Sequence, residues 1–357
     1  MPDTLLRTSA PVLEVAGVIR SDLRRDLLSL VVAHTTDGLA TLRATFTAAG
    51  TAGDTPGQLR LLDVDPIELG TALTVSIGDG PGRLVFEGAV SAVEARFSEG
   101  HAPRVVLYAE DGLFPLCLTA HRRTWEDVDD EDIVRTVAGA HGLLAEVQVG
   151  GPTARHVQQW NESDLGFLRR RAHLLAADLW IEGRTVHLAT RENRPGEEVV
   201  LRCGANLVAV DLRADLAHQR TEAVVTGYDA ERREPIEEQS TVSDLAGEPG
   251  TGRLGPKSLE MARGEVAVVL HDLVPTHRAE AEAWATAELR RRARSFLTAT
   301  AITNGTPELA VGSRVTLMDA GTPFEGDGWY ATRVRQTFDL AEGHRTEARL
   351  ERARIGV

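Results

Sequence analysis

The sequence predicts a β-rich α+β chain in which one meander of strands is written twice, near the two ends, around a mixed α/β middle. Three observations carry this. Residues 95–107, "ARFSEGHAPRVVL", are echoed by residues 336–350, "QTFDLAEGHRTEARL". The matches around that echo keep the same order, and their spacing drifts only where loops are expected. Between the copies, the apolar period changes from that of a strand to that of a helix.

The repeat is built residue by residue. Gly70 in "LGTALTV" (69–75) meets Gly312 in "VGSRVTL" (311–317), and Thr74 meets Thr316. "FEG" at 86–88 returns at 324–326, pairing Phe86 with Phe324 and Gly88 with Gly326. Val93 and Phe97 match Val334 and Phe338 at an offset of 241, and Glu99-Gly100-His101 matches Glu342-Gly343-His344 at 243. "ALTVSIG" and "RVTLMDA" carry the β-branched residues of strands, while "GDGPGR" and "DAGTP" hold Gly and Pro where the chain must turn. Each Glu-Gly-His reads as a hairpin in which Gly100 or Gly343 supplies a positive φ. His101 and His344 are expected to be polar loop residues.

Composition bounds the function. A chain of 357 residues is long enough for two or three domains. The net charge of −14 argues against nucleic acid as a partner, since phosphate contacts need a basic surface. Cys117 and Cys203 are too few for a disulfide framework and indicate a reducing compartment. The chain has no membrane-length apolar run, and its start, "MPDTLLRTSAPVLEV", lacks the pattern of a secretory signal.

The middle is read in order. "WEDVDDEDIVRTVAGAHGL" (125–143) predicts a helix with acids at its start and Gly142 at its end. Asp127, Asp129, Asp130 and Asp132 lack the Gly and distal Glu of a calcium loop, so no metal is expected. In 158–183 a helix follows a cap at Asn161 or Ser163, with Leu165, Leu168, Ala172 and Leu175 as its apolar stripe. Arg169, Arg170 and Arg171 are expected on a solvated face. Glu162 and Asp164 read as helix-start acids; the competing reading is a glycosidase-like carboxylate pair. "LWIEGRTVHLAT" predicts a hairpin turning at Glu182-Gly183.

Residues 219–231 follow as a strand. The polar, Gly- and Pro-rich stretch 232–258 is expected to be a flexible loop. It holds GxGxxG at Gly250, Gly252 and Gly255, without a strand-into-helix context, and a near-miss to a phosphate loop in Gly255-Pro256-Lys257-Ser258, where Pro256 separates Gly from Lys and removes a donor N–H. A short strand (265–273) and a long helix (275–297), capped at Thr276, come next. There is no HExxH, GxSxG or CxxC. His141, His156 and His173 are scattered, so no cofactor and no catalytic residues are expected.

"QWNESDLGFLRRRAHLLAADLWIEG" (159–183) resembles the Q-x-N-E-S-D-x-x-F-L-x-R-x-A signature of the phage late control gene D family. That family includes contractile-tail baseplate hubs and the N-terminal hub region of the type VI secretion spike (VgrG). The segments "LVFEGAVSAVEARF", "VVLYAEDGLFPL" and "DDEDIVRTVAGAHGL", and the C-terminal stretch, follow the family's order, and the likeness spans about residues 10–352.

The resemblance implies two similar β-barrel (tube-attachment) domains joined by mixed α/β elements, in a hub-type trimer. It places an N-terminal tail at 1–10, a first barrel at 11–111 and an α/β middle domain at 112–199. The second barrel is 200–230 with 299–352, and a linker, strand and long helix (231–298) are inserted in it. The framework markers are Gly70, Phe86, Gly88, Phe97, Gly100, Gly312, Phe324, Gly326, Phe338 and Gly343 in the repeats, with Asn161, Glu162, Ser163, Asp164, Phe167 and Leu168 in the signature. The implied function is structural: a homotrimeric baseplate hub of a contractile injection particle, adapting a six-fold inner tube protein to a three-fold spike. Because the chain stops at Val357 after the second copy, a separate spike protein is expected, together with other baseplate subunits and assembly in the bacterial cytoplasm. The alternatives are a tail-associated cell-wall hydrolase using Glu162 and Asp164, or a glycan-binding module.

Overall fold

The structure, a computed structural model, describes residues 10–48, 59–64, 66–78 and 82–356. Most of the expected N-terminal tail (1–9) and the tip of the "GDGPGR" turn (79–81) lie outside the described residues.

The first part of the chain forms β1 (Val12–Val15), β2 (Val18–Ile19), α1 (Ser21–Asp26), β3 (Leu27–Thr35), β4 (Thr41–Thr47), β5 (Ala72–Ile77), β6 (Arg83–Arg96) and β7 (Arg104–Glu110). The middle follows as β8 (Ala120–Val128), α2 (Asp130–Ala140), β9 (Leu144–Gln148), β10 (Ala154–Ser163), α3 (Asp164–Leu174), β11 (Ala177–Glu182) and β12 (Thr185–Thr190). Next come β13 (Glu198–Arg202), β14 (Leu207–Ala214), β15 (Glu222–Asp229), β16 (Glu234–Thr241), β17 (Arg253–Leu254), α4 (Gly255–Arg263), β18 (Ala267–Leu270) and α5 (Arg278–Arg294). The chain closes with β19 (Leu297–Thr303), β20 (Arg314–Met318), β21 (Gly326–Asp339), β22 (Gly343–Arg352) and β23 (Arg354–Ile355).

Strands such as β5 and β22 bury every second residue, because side chains in an extended chain point alternately to the two faces. A 13-stranded sheet joins the two ends of the chain. Its first arm runs β3-β4-β7-β6-β5-β1 and its second β14-β19-β22-β21-β20-β13, the same order position for position. Only the outermost pairs differ: β1 lies antiparallel to β5, whereas β13 lies parallel to β20.

Two of the irregularities coincide as well. Pairing of β6 with β7 slips between Val90 and Ala92, and pairing of β21 with β22 slips between Ala331 and Arg333, at the same offset of 241. Pairing of β3 with β4 slips between Leu27 and Ser29, as β14 with β19 does between Leu207 and Ala209. A bulge bends its strand and raises the local twist, so the two arms curve at equivalent places.

The arms meet within the sheet. The first half of β21 pairs with β20; its second half, Arg333–Asp339, pairs with β3 from the other arm. Phe338 therefore stands opposite Leu30 and completes the first arm's core with Phe46, Phe86 and Leu107. The second arm has its own core around Leu201, Val315, Trp329 and Leu350. The middle packs α2 and α3 against the β8–β10 pair and the β11-β12-β9 sheet, with Trp125 stacked on Phe167 at 5.0 Å between ring centroids. The expected hairpin at Glu182-Gly183 joins β11 to β12, with Gly183 at φ +55°.

Several local expectations are corrected. Residues 232–258 are not a flexible loop. β16 pairs along β15 and buries Ile236, and β15 itself pairs with β16 and β18 in a separate three-stranded sheet. Gly255-Pro256-Lys257-Ser258 starts α4, where Pro costs no hydrogen bond because the first-turn N–H groups have no helical partner. Gly255 itself is needed there: a Cβ would lie 2.5 Å from the Phe296 ring. The cap of α5 is His277, not Thr276. The His277 ring nitrogen accepts from Glu280 N–H at 3.3 Å, while the Thr276 N–H and hydroxyl both donate to the Glu280 carboxylate at 2.8 and 2.7 Å.

Candidate assembly site

The signature segment is a strand end that turns into a helix. Asn161 sits at φ +51° in a bulge between Trp160 and Glu162, after which β10 stays paired with β8 through Ser163. Asn adopts this left-handed conformation more readily than most residues. Ser163 is the cap of α3, its hydroxyl accepting from Gly166 N–H at 3.1 Å. Asp164 is fully buried and accepts from Arg123 at 2.5 Å and Gln159 at 2.8 Å, with His141 Nε2 also 2.8 Å away. Burial pushes this carboxyl up, but the hydrogen bonds from Gln159, His141 and Arg123 outweigh it and hold Asp164 below the usual carboxylate range. Glu162 stays half-buried and pairs with Arg170 at 2.6 Å. Phe167 and Leu168 fill the middle core.

Two of the three arginines leave the expected solvated face. Arg169 reaches 2.8 Å to the Asp37 carbonyl and 3.2 Å to that of Gly38, tying α3 to the β3–β4 turn. Arg171 is buried in a two-bond ion pair with Asp130, at 2.6 and 2.9 Å. The neighbouring acids are explained in the same way: Asp129 caps α2 through the Asp132 N–H, and Asp130 is committed to Arg171. Among the described residues, no group of three or more His, Cys, Asp and Glu side chains is placed to hold a metal ion. No helix among them is long and apolar enough to cross a membrane.

The repeat markers fall into two classes. Gly70 (φ +84°) and Gly312 (φ +97°) are true equivalents. Gly70 N–H donates to Val90 O at 2.7 Å and Val90 N–H to Thr71 O at 2.9 Å; Gly312 N–H donates to Ala331 O at 2.9 Å and Ala331 N–H to Ser313 O at 3.0 Å. At the bulge that follows, the Ser91 hydroxyl donates to Tyr108 O and the Thr332 hydroxyl to Arg349 O, both at 3.3 Å.

The two "FEG" strings, by contrast, are three residues out of structural register. Gly88 lies opposite Leu73, and the corresponding position opposite Val315 is Trp329. Gly88 is required by the sheet, since a Cβ would fall 2.1 Å from Glu110 O. Phe86 is core, whereas Phe324 is half-buried, accepts through its carbonyl from the Trp329 indole at 3.1 Å, and is followed by Gly326 at φ +109°. Gly100 and Gly343 share positive φ (+74° and +71°), yet their histidines part company. His101 is exposed at a hairpin tip. His344 is corrected from a loop residue to a buried one within β22, with Nε2 2.8 Å from Gln336 Oε1. Burial lowers its pKa to about 4.

Phe97, one residue past β6, and Phe338, within β21, are equivalent in the repeat but lie in opposite surroundings: Phe97 is 65% exposed and Phe338 8%. Val93 (37%) and Val334 (2%) repeat the contrast. A junction between the middle and the second arm was not legible in the sequence. There the Tyr330 hydroxyl donates to Asp178 at 2.5 Å, Arg194 lies 3.1 Å from the same carboxylate, and its guanidinium stacks 4.2 Å above Trp180. These residues come from segments up to 152 positions apart with no local pattern to announce them. A largely apolar cleft of about 960 Å³ runs beside the junction, lined by His34, Val85, Leu309 and Gln336 among others.

The chain matches the family model described as the Alg8 N-terminal domain over residues 51–339. It belongs to that family. No protein of curated function matches this member of the Alg8 N-terminal domain family. Solved structures share its fold. The 43 kDa tail protein of prophage MuSo2 from Shewanella oneidensis superposes with a TM-score of 0.69 at 16% identity, covering 97% of this chain and 98% of that one. A tail protein from Neisseria meningitidis MC58 gives 0.67 at 14% identity, covering 96% of each chain. An E. coli type VI secretion component, described as structurally similar to the T4 bacteriophage tail proteins gp27 and gp5, gives 0.59 at 11% identity over 95% of this chain and 76% of that one. The fold of this Alg8 N-terminal domain member is thus that of phage-tail proteins and a type VI component, as the signature segment implied.

Proposed function

We propose that this chain is a structural hub subunit in the baseplate of a phage-tail-like contractile particle. Three chains form a ring in which 11–111 and 200–230 with 299–352 are the two barrel-type units, 112–199 bridges them, and 231–298 is inserted in the second unit. Six units face the six-fold inner tube protein, the three-fold face receives a separate spike protein, and other baseplate subunits bind around them. The particle assembles in the bacterial cytoplasm, and the marker residues in the repeats and the signature are its framework.

One observation carries this reading: both arms have the same strand order, with two of their bulges at the same places. Two near-equal units per chain let a three-fold ring present six similar surfaces. The tail-protein fold supports it. The sealed surroundings of Asp164 weigh against a hydrolase that uses it with Glu162. Co-expression with the tube and spike proteins, followed by imaging of the purified complex, tests the proposal. The expected result is three chains between a six-fold ring and a three-fold spike. A chain that stays single and binds neither partner refutes it.

A further inference from the structure

The pairing between the arms inside one chain leaves two strand edges without a partner among the described residues. On β21, residues 333–339 are covered by β3. On β6, the equivalent residues 92–96, with Phe97 just past the strand's end, have β7 on one side and, among the described residues, no strand on the other, for β5 ends its pairing at Ala89. The second arm's equivalent of β3 is β14, which among the described residues pairs only with β19. The chain thus carries one joint already made, β21 on β3, and the two halves of a second joint, one along the uncovered second half of β6 and the other on β14 at the sheet's end. We infer that β6 of one chain pairs antiparallel with β14 of a second copy, reproducing between chains the joint that β21 and β3 make within one.

The register follows from the internal joint. The matching bulges set β21 against β6 at 241 residues, and set β14 against β3 at 180. Phe338 opposite Leu30 then becomes Phe97 opposite Val210, Gln336 opposite Val32 becomes Ala95 opposite Leu212, and Val334 opposite His34 becomes Val93 opposite Ala214. Apolar residues meet on the face that is core in the internal joint. They also account for the two exposed side chains: Phe97 and Val93 lack the strand that buries Phe338 and Val334. Natural sheets seldom leave such an edge open, because unpaired backbone groups beside apolar side chains promote association.

The opposite face supplies an independent check, since no charge entered the mapping. It sets Glu94 against Arg213 and Arg96 against Asp211. Both cross-strand pairs are of opposite sign, which favours this register over its neighbours. In the single chain Glu94 pairs with Arg96, and Arg213 with Asp215, along their own strands.

Such a contact is head-to-tail, so it either closes a ring or runs on as a filament. The count of three chains rests on the hub reading; the pairing does not. Cysteines test it directly, because residues opposite each other across an antiparallel pair lie within disulfide reach. Full-length Val93→Cys/Ala214→Cys protein, oxidised with copper–phenanthroline, should cross-link into a ladder ending in one closed species on a non-reducing gel. Val93→Cys/Ala209→Cys protein should remain single, as should Val93→Cys alone, which controls for Cys117 and Cys203. If the wild type sediments as an assembly but the first variant does not cross-link, the pairing is wrong and the hub reading stands. If the wild type sediments as a single chain with and without the tube protein, both fall. Should the cysteine variants not fold, the charges answer instead. Glu94→Arg and Arg213→Glu should each weaken self-association about tenfold or more, and their combination should recover it. A combination no better than the singles overturns the register.

Discussion

Arg171→Met should destabilise the chain far more than the loss of a surface arginine would. The guanidinium makes two bonds to Asp130, and the side chains are 6% and 1% exposed. Without Arg171, Asp130 is a buried carboxylate at the start of α2 with no cation beside it. Breaking one side of a buried ion pair costs about 3–5 kcal/mol, because the partner's desolvation is no longer offset. For a cooperative chain of this length that is a fall in Tm of roughly 4–7 °C. Asp130→Leu alone should cost a similar amount, leaving the guanidinium buried. The double variant Asp130→Leu/Arg171→Met should lose much less than the sum, since apolar groups of similar volume then fill the same space. Urea unfolding of the four proteins measures the coupling. If Arg171→Met loses less than about 0.5 kcal/mol, the value typical of a surface change, the ion pair is not the clamp between α2 and α3 inferred from the geometry.

Other consequences are open to direct measurement. Burial lowers the pKa of His344 to about 4, so between there and the unfolded value near 6.5 the unfolded chain binds more protons. Stability from the neutral ring is complete above pH 6.5 and is lost as pH falls towards 4, by roughly 3 kcal/mol at most; His344→Leu should flatten that part of a stability–pH curve, and an unchanged slope would refute it. Phe338→Ala should cost about 3–5 kcal/mol as a core truncation. At concentrations where sedimentation finds single chains, Phe97→Ala should stay within about 0.5 kcal/mol of wild type; equal losses would mean the two phenylalanines are not in the different environments described.

Much of the strand framework was legible because β-branched residues mark β5 and β20, and because glycines such as Gly70 and Gly312 sit where only a positive φ continues the chain. The cap at Ser163 and the start of α2 could likewise be read locally. What was missed depends on distance. β16 reads "EPIEEQST" and looks like a linker, since Ile236 and Ser240 are its only buried side chains. Arg171 and Asp130 lie 41 residues apart, and nothing beside either one signals the other. The repeated "FEG" misled for the opposite reason: three identical letters stood in sequence where the bulges, which govern register, had no letters of their own.

β21 has a mechanical meaning beyond its place in the topology. It is one continuous strand of 14 residues, and its two halves belong to the edges of different arms. Tilting one arm against the other would require shearing the row of backbone bonds from Ser29 to Thr35 all at once, because bonds loaded in parallel do not open one by one. The two arms are therefore fixed to each other once β21 and β3 have paired. A load arriving on one arm passes to the other through the strand itself.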